Sequence, residues 1–248
     1  MAGHSKWANI QHRKSRVDAA RSKLFTRLIK EITVAARLGG GDPEGNPRLR
    51  AALSEARSSN VPNDNIDRAI KKGTGELEGQ ALEEYTYEGY GPGGVAVMVE
   101  AVTDNKNRTV SELRNVFSKN GGSLGENGCV AWMFERRGFI SLSREALAEE
   151  DFMELALEVD AEDFETEGEE YLLTVAPDSY LAVLEELEGK QLTPSRTTLA
   201  MVPSTTVGAE TPKDAEKVER LLERLEDHDD VQRVWANYEE SEVGAEAS

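Results

Sequence analysis

Electric charge is divided unequally along this chain, and the division constrains its fold more than any other feature. The sequence of 248 residues carries a formal net charge of −18. Residues 1–72 hold 15 Lys and Arg against 7 Asp and Glu, whereas residues 73–248 hold 14 against 40. Charges that are separated in this way favour a chain built from domains of different character. The sequence therefore predicts a basic domain at the N-terminus that is followed by acidic domains.

The basic segment has the pattern of a small helical domain. Residues 17–38 carry an apolar stripe at helical spacing, and three glycines follow at Gly39–Gly41. A second helix begins at Pro47, and a third covers about residues 64–72. Because amphipathic helices of this length are not stable alone, the three are expected to pack together. Residues 1–14 lack helical periodicity and are interpreted as a mobile or extended arm.

The pattern changes to a mixture of strands and helices later in the chain. Residues 74–94 are rich in turn-forming residues and are predicted to form a linker. A strand, a helix and a strand follow over residues 95–135, and residues 136–197 have the order β-α-β-β-α-β that is typical of a ferredoxin-like domain. A strand at residues 199–203, a helix at 212–226 and a strand at 231–238 are predicted next, and they supply the missing half of the first sheet, whose edges would otherwise be exposed.

These patterns place the chain in the α+β class, with an N-terminal three-helix domain and two ferredoxin-like α/β domains, one inserted in the other. The C-terminal tail is short and polar, and it is predicted to be disordered. The predicted segments are a basic helical domain (1–76), a discontinuous α+β domain (77–135 and 198–238), an inserted acidic ferredoxin-like domain (136–197) and the tail (239–248).

Motifs for metal binding and for nucleophilic catalysis are absent from the sequence. The one cysteine, Cys129, opens an apolar strand and is interpreted as a buried hydrophobic residue, and the three histidines lie in no metal-binding motif. No apolar run reaches the ~18 residues of a membrane span, and no secretory signal is present. The sequence thus predicts a cytoplasmic protein with no metal, no cofactor and no membrane partner. The many carboxylates leave open an active site built from carboxylates alone.

The basic arm and the first helix have the features of a surface that binds polyanions. Lys and Arg side chains can neutralise phosphates and release counterions, and Trp7 can stack on an exposed base. Two alternatives stay open: the basic segment can dock on the acidic remainder of the chain, and Trp7 can pack into the helical core. The residues predicted to bind nucleic acid are Lys6, Trp7, Arg13, Lys14, Arg16, Arg21, Lys23, Arg27, Lys71 and Lys72.

A polar loop provides a second candidate contact. The stretch TDNKNRT, residues 103–109, lies between a predicted strand and a predicted helix, where backbone N–H groups can bind anions. The alternative interpretation is an ordinary helix cap followed by a turn. The residues of this secondary contact loop are Asn105, Lys106, Asn107 and Arg108.

Several long motifs of this chain resemble those of the YebC/PmpR family. They include MAGHSKWANIQHRK, VPNDNIDRAIKKGTGE, YEGYGPGG and TDNKNRTVSELR. The resemblance covers nearly the whole chain and implies three domains and a cytoplasmic, non-enzymatic role in gene expression. It implies a nucleic-acid-binding regulator, which for bacterial members is a DNA-binding transcriptional regulatory protein. The alternative that it implies is a ribosome-associated translation factor that binds ribosomal RNA and relieves stalls at proline-rich stretches.

The residues alone do not separate these two functions, because DNA and ribosomal RNA are both polyanions. The third predicted helix is short and ends in Lys71-Lys72, which suits phosphates better than base edges. This favours contact with RNA, or with DNA of any sequence. No pattern in the sequence indicates the oligomeric state.

Overall fold

The computed structural model describes residues 17–78, 81–209 and 211–239, with the side chains of the first helix described from Lys23 onward. Helices come first along the chain and two sheet-containing domains follow, which confirms the predicted α+β class. Within these residues, no helix is both long enough and apolar enough to cross a membrane.

The larger of two compact units, which contains residues 17–131 and 207–239, begins with three helices. They are α1 (Val17–Gly39), α2 (Pro47–Ser58) and α3 (Asn63–Gly73), which confirms the helices predicted from the apolar pattern. Their buried side chains form one core, which includes Leu28, Ile32, Leu49, Leu53 and Ile66.

Asn46 fixes the turn between the first two helices. Its side-chain oxygen accepts a hydrogen bond of 3.1 Å from the backbone N–H of Leu49, which caps α2. Its side-chain nitrogen donates to the carbonyl oxygens of Ala35 and Gly40, both at 2.8 Å. Because Asn46 is buried, these bonds hold the end of α1 against the start of α2.

A four-stranded antiparallel sheet completes the larger unit. Its strands are β1 (Glu83–Tyr90), β2 (Ala96–Thr103), β3 (Ser123–Leu124) and, from the C-terminal segment, β9 (Val231–Ala236), in the spatial order β3-β1-β2-β9. The helices α4 (Lys106–Lys119) and α7 (Pro212–Glu226) pack their apolar sides against Val97 and Val99 of β2. Two short strands, β8 (Val207–Gly208) and β10 (Tyr238–Glu239), pair in parallel.

Strand β1 lies in the segment that the sequence predicts to be a linker, so that prediction is wrong. β1 pairs with β2 along its whole length, and a turn at Pro92–Gly94 closes the hairpin. The apolar alternation of β1 rests on Tyr85 and Tyr87 alone, and turn-forming residues follow directly. Backbone pairing with β2, which no local pattern reveals, therefore forms this strand.

Of the strand, helix and strand that are predicted over residues 199–238, the helix and the last strand complete the first sheet. β9 pairs antiparallel with β2 and gives it a neighbour on its second edge. The observed bounds of α7 are those that the sequence predicts. Apolar side chains of α7 enter the common core, among them Val218, Leu221 and Leu225.

The smaller unit, residues 132–206, has the ferredoxin-like order β-α-β-β-α-β. Its elements are β4 (Phe134–Ser143), α5 (Glu149–Glu158), β5 (Asp163–Glu167), β6 (Glu170–Val175), α6 (Tyr180–Gly189) and β7 (Arg196–Pro203). The sheet is antiparallel with the order β5-β6-β4-β7. In its core the rings of Phe152 and Tyr171 stack with their centres 4.2 Å apart.

The border between the units differs from the predicted border. The sequence predicts a strand over residues 129–135 and places residues 198–203 in the outer domain. In the structure a short helical turn, Ala131–Met133, precedes β4, and β7 pairs with β4 along its whole length. This ladder of backbone hydrogen bonds places β7 in the smaller unit, and a pattern of apolar residues does not reveal which strand is its neighbour.

We expect Gly89→Ala to destabilise the larger unit, because β1 has no space for a methyl group at this position. An added Cβ would lie 2.6 Å from the carbonyl oxygen of Ser123 and 2.8 Å from the buried ring of Phe117. Overpacking of this kind lowers the free energy of unfolding by about 1–3 kcal/mol. Urea unfolding followed by circular dichroism measures the loss. The control is Gly45→Ala, where an added Cβ meets no atom within 4 Å, and an equal effect of both substitutions would contradict this explanation.

Candidate nucleic-acid interface

The predicted nucleic-acid-binding residues fall into three groups. Lys23 and Arg27 lie on α1, next to the C-terminal segment of the larger unit. Lys71 and Lys72 are exposed in the last turn of α3. The remaining side chains lie outside the part of the chain that the structure describes, so their role stays a prediction; they are Lys6, Trp7, Arg13, Lys14, Arg16 and Arg21.

The cations of α1 have partners within the chain. Lys23, Arg27 and Lys30 are spaced so that they share one side of the helix. The ammonium group of Lys23 forms an ion pair with the carboxylate of Asp227. Arg27 donates a hydrogen bond of 2.5 Å to the backbone carbonyl oxygen of Glu226. Burial lowers the pKa of Arg27, and the nearby carboxylates of Glu226 and Asp227 offset part of this shift.

A buried carboxylate, Asp230, holds α1 against the sheet of the larger unit. Its oxygens accept hydrogen bonds from Lys30 (2.9 Å), Arg108 (2.8 Å) and Thr109 (2.8 Å), and the residue is 6% exposed. Burial alone would raise the pKa of Asp230, but the bonds from these three donors outweigh burial and hold the pKa well below its usual range. Asp230 is therefore ionised at neutral pH, and it joins α1, α4 and the turn before β9.

Lys30 donates three hydrogen bonds to β2 and to the turn before β9. One goes to Asp230, and the other two go to the backbone carbonyl oxygens of Asp229 (2.8 Å) and Val102 (3.0 Å). An ammonium group has three donors and no acceptor, so this side chain is fully satisfied within the chain. Lys30 is consequently a structural residue that fixes the position of α1.

Arg48 makes a second link between the helices and the sheet. Its guanidinium group donates to both carboxylate oxygens of Glu31 on α1, at 2.7 and 3.0 Å. It also donates to both carboxylate oxygens of Glu84 on β1, at 2.5 and 3.1 Å. Bidentate pairs of this kind are stronger than single ion pairs. Part of the positive charge of the helices thus attaches them to the acidic remainder of the chain, which is one of the alternatives that the sequence left open.

The candidate contact loop forms an ordered helix N-terminus. Asn105 caps α4, because its side-chain oxygen accepts a hydrogen bond of 3.1 Å from the backbone N–H of Arg108. Arg108 also pairs with Asp230, and the ammonium group of Lys106 lies 4.7 Å from the centre of a tyrosine ring of β1. Asn107 is exposed. These contacts favour the interpretation as a helix cap, and a role of the loop in nucleic-acid binding stays a prediction.

The outer side of α3 carries positive charge toward solvent. Arg68, Lys71 and Lys72 share one helical side, because they are three and four residues apart, and all three are exposed. The opposite side of α3 buries Ile66 and Ala69 in the helical core. No hydrogen bond or ion pair within the described ranges uses the three cationic side chains. The positive charge on this side of α3 is therefore accessible to a ligand from solution.

An open cavity of about 500 Å³ adjoins α3, with Arg37 and Lys72 in its wall. The guanidinium group of Arg37 donates a hydrogen bond of 2.6 Å to the carbonyl oxygen of Leu82. The two cations favour an anion, but α1 and α3 both end at this place, and helix C-termini carry partial negative charge. Because these two effects oppose each other, the structure does not indicate which kind of ligand the cavity would bind.

One cluster of potential metal ligands lies in the described part of the chain. Glu112, His228 and Asp230 bring oxygen and nitrogen atoms within 4.8 Å of one another. His228 Nδ1 accepts a hydrogen bond of 3.1 Å from the backbone N–H of Asp230, which assigns the imidazole proton to Nε2. Nε2 in turn donates to Glu112 at 2.9 Å, and Asp230 is already held by two cations. A hydrogen-bond network explains this cluster without a metal.

Two buried carboxylates, Asp230 and Glu88, were not predicted from the sequence. Glu88 is 5% exposed and accepts hydrogen bonds from the backbone N–H groups of Gly128 (2.7 Å), Val130 (2.8 Å) and Ala131 (2.8 Å). Burial would raise the pKa of Glu88, but these three bonds outweigh burial and lower the pKa. Glu88 thereby fixes the end of the glycine-rich loop that precedes β4. In the sequence both carboxylates look like ordinary surface acids, and no local signal distinguishes them.

Comparison with known proteins identifies the family to which this arrangement belongs. Residues 5–76 match the TACO1/YebC protein N-terminal domain, and residues 82–238 match the TACO1/YebC second and third domain. The chain belongs to the TACO1/YebC family. The resemblance that the sequence motifs indicated is thus confirmed.

Two relatives share half or more of their aligned residues with this chain. A protein of Natranaerobius thermophilus is 55% identical over 242 residues, which cover 96% of each chain. A protein of Desulfosudis oleivorans is 50% identical over 247 residues, which cover 100% of each chain. Both are named "Probable transcriptional regulatory protein". The crystal structure of a conserved hypothetical protein from Aquifex aeolicus has the same fold, with a TM-score of 0.83 and 50% identity over 96% of this chain and 98% of that one.

We expect Asp230→Asn to destabilise the larger unit strongly. The substitution keeps the shape of the side chain but removes the counter-charge of Lys30 and Arg108, and breaking a buried pair costs about 3 kcal/mol. Folding lowers the pKa of Asp230, so the ionised carboxylate stabilises the fold at pH values above about 4, which is the usual pKa of aspartate. This stabilisation is lost as the pH falls below that value. Urea unfolding at several pH values measures both effects.

The matched control for this prediction is Asp229→Asn in the same turn. Asp229 is exposed, and only its backbone carbonyl oxygen contacts Lys30. We expect it to change the free energy of unfolding by less than about 0.5 kcal/mol, as is usual for surface substitutions. Similar losses for the two variants, or a loss for Asp230→Asn that does not shrink in acid, would contradict the role given to the buried carboxylate.

Proposed function

We propose that this protein regulates gene expression by binding nucleic acid through its basic helical domain. The observation that carries the proposal is the exposed cationic side of α3, formed by Arg68, Lys71 and Lys72. It lies in the segment to which the excess of positive charge is confined, since residues 73–248 hold 40 acids against 14 bases and would repel a polyanion. The names of the curated relatives support a regulatory role.

The cations of the helical domain divide into an inward set and an outward set. The inward set, with Lys30 and Arg48, is bonded to carboxylates that attach the helices to the sheet. The outward set is the exposed side of α3 together with Arg57 at the end of α2. Because the inward set is neutralised within the chain, the outward set carries the charge that a ligand meets. We propose that the basic N-terminal arm extends this contact.

The arrangement supports recognition of the phosphate backbone rather than of bases. Lysine and arginine side chains at the end of a short helix reach phosphate oxygens, and such contacts set position without reading sequence. DNA is the target that agrees with the names of the relatives, and the protein acts there as a binding protein without a reaction of its own.

A second candidate function is that of a translation factor on the ribosome, with ribosomal RNA as the polyanion. The smaller unit favours this candidate, since residues 132–206 hold 18 Asp and Glu against 5 Lys and Arg. Such a surface complements a basic protein partner and repels nucleic acid. Sedimentation of a cell lysate at low salt separates the two candidates: recovery of the protein with ribosomes supports the translation factor, and its absence from ribosomes supports the DNA target.

We expect the double substitution Lys71→Gln and Lys72→Gln to weaken nucleic-acid binding. With a labelled DNA duplex of about 20 base pairs, the affinity at about 0.1 M salt should fall about tenfold, because two phosphate contacts are lost. The slope of log affinity against log salt should become shallower by about 2, at about 0.9 for each phosphate. Fluorescence anisotropy over a range of salt concentrations measures both quantities.

The control removes the same charge from outside the helical domain, by Lys190→Gln together with Lys213→Gln. Lys190 lies just beyond α6 in the acidic unit, and Lys213 lies in the first turn of α7. We expect binding by this variant to match the wild type. Equal losses in the two double variants, or binding that does not depend on salt, would count against the proposed interface.

A further inference from the structure

A short acidic segment lies against the basic side of α1. The segment Glu226–Asp230, called the acidic loop below, begins at the last residue of α7 and contains four carboxylates. The cations that it meets are Lys23, Arg27 and Lys30, called the basic face of α1. Both belong to the larger unit. The acidic loop therefore occupies cations that were predicted from the sequence to bind a polyanion.

The contact has a buried inner part and an exposed outer part. In the inner part, Lys30 is bonded to the buried carboxylate of Asp230. In the outer part, the side chains of Lys23 and Asp227 are 37% and 51% exposed. Ion pairs that water reaches are screened and contribute little to stability. The outer part can therefore open while the inner part stays closed.

The outer part is also loosely packed. A cleft of about 80 Å³ lies between α1 and the acidic loop, with Thr26, Arg27 and His228 in its wall. A guanidinium group has five N–H donors. Among the residues that the structure describes, Arg27 directs one hydrogen bond to the acidic loop, and this bond goes to the backbone carbonyl oxygen of Glu226 rather than to its carboxylate. Arg27 thus keeps donors that a phosphate can use.

The carboxylate of Glu226 is poorly compensated in its present position. Burial raises the pKa of Glu226 to about 7, the charges of Asp227 and Glu223 add to this rise, and the charge of Arg27 opposes it. The ionised carboxylate would gain hydration if the loop moved toward solvent. Opening of the outer part would therefore relieve this burial.

We propose that the acidic loop masks the basic face of α1 as an internal substitute for a polyanion, and that nucleic-acid phosphates displace its outer part. The inference rests on the proposed function, because it concerns the same ligand. Phosphate groups take the place of Asp227 at Lys23 and of the Glu226 backbone oxygen at Arg27. The buried pair of Lys30 and Asp230 stays closed and acts as the hinge.

This arrangement favours a polymer over a single anion. The exposed cations of α3 are open to a ligand without any rearrangement, so they make the first contact. A bound polymer then holds further phosphates near α1 at high effective concentration, and their release of counterions compensates for the loss of the loop contact. A free phosphate has neither advantage and leaves the loop in place.

The test compares two substitutions that remove the same charge from α7 and its end. Asp227→Asn removes the partner of Lys23, whereas Glu223→Gln removes an exposed carboxylate one turn earlier, which pairs with none of the three cations of the basic face. A labelled DNA duplex and a labelled single-stranded RNA are titrated at several salt concentrations. We expect Asp227→Asn to tighten binding about three- to tenfold with a steeper salt dependence, and Glu223→Gln to tighten it less than about twofold.

Two results would overturn the masking. Equal gains in affinity for the two variants would mean that the loss of negative charge, wherever it lies, accounts for both. A gain with Asp227→Asn that persists after Lys23→Gln is added would mean that Lys23 does not contact the phosphate. Both carboxylates are exposed, and circular dichroism shows whether each variant is folded.

The outcomes also separate this inference from the proposed function. If the Lys71 and Lys72 variant loses binding but Asp227→Asn changes nothing, nucleic-acid binding stands and the masking is wrong. If neither the wild type nor any variant binds DNA or RNA, both proposals are wrong. If the wild type binds weakly and Asp227→Asn binds tightly through Lys23, both are supported.

Discussion

Asp230 connects parts of the larger unit that are far apart in the sequence. Its carboxylate bonds to Lys30 on α1 and to Arg108 and Thr109 on α4, and β9 begins one residue later. A carboxylate or an ammonium group that is buried alone is very unfavourable, so each of these groups depends on the others for its place in the interior. The position of the three helices on the sheet, and with it the side of α3 that faces solvent, depends on this network.

The same residue types serve two purposes in the helical domain, and burial separates them. Lys30 and Arg48 have carboxylate partners at hydrogen-bond distance and act as structural links. Lys71 and Lys72 lie on the exposed side of a helix whose other side fills the core, so their charge extends into solvent. Lys23 and Arg27 stand between these extremes, because their partners are exposed or are backbone atoms. The cations of the helical domain thus range from those that hold the helices on the sheet to those that are exposed to solvent.

The local elements of the fold could be predicted wherever the signal itself is local. Asn46 and Pro47 mark the start of α2, and the apolar repeat of α7 defines a helix with the observed bounds. β1 and β7 were misassigned because their identity depends on backbone pairing with strands elsewhere in the chain. For the candidate site, the spacing of Arg68, Lys71 and Lys72 already indicates a common side of α3. The partners of Lys23 and Arg27 could not be predicted, since they lie about 200 residues away.

By itself, the sequence determined the α+β class, most helices, the family and the confinement of excess positive charge to the first 72 residues. The tertiary structure decided which of these charges are used inside the protein and which face solvent. The physical reason is that helical spacing and capping act over a few residues and leave a pattern in the sequence. An ion pair such as Lys30 with Asp230 forms only when two distant segments meet, and it leaves no such pattern.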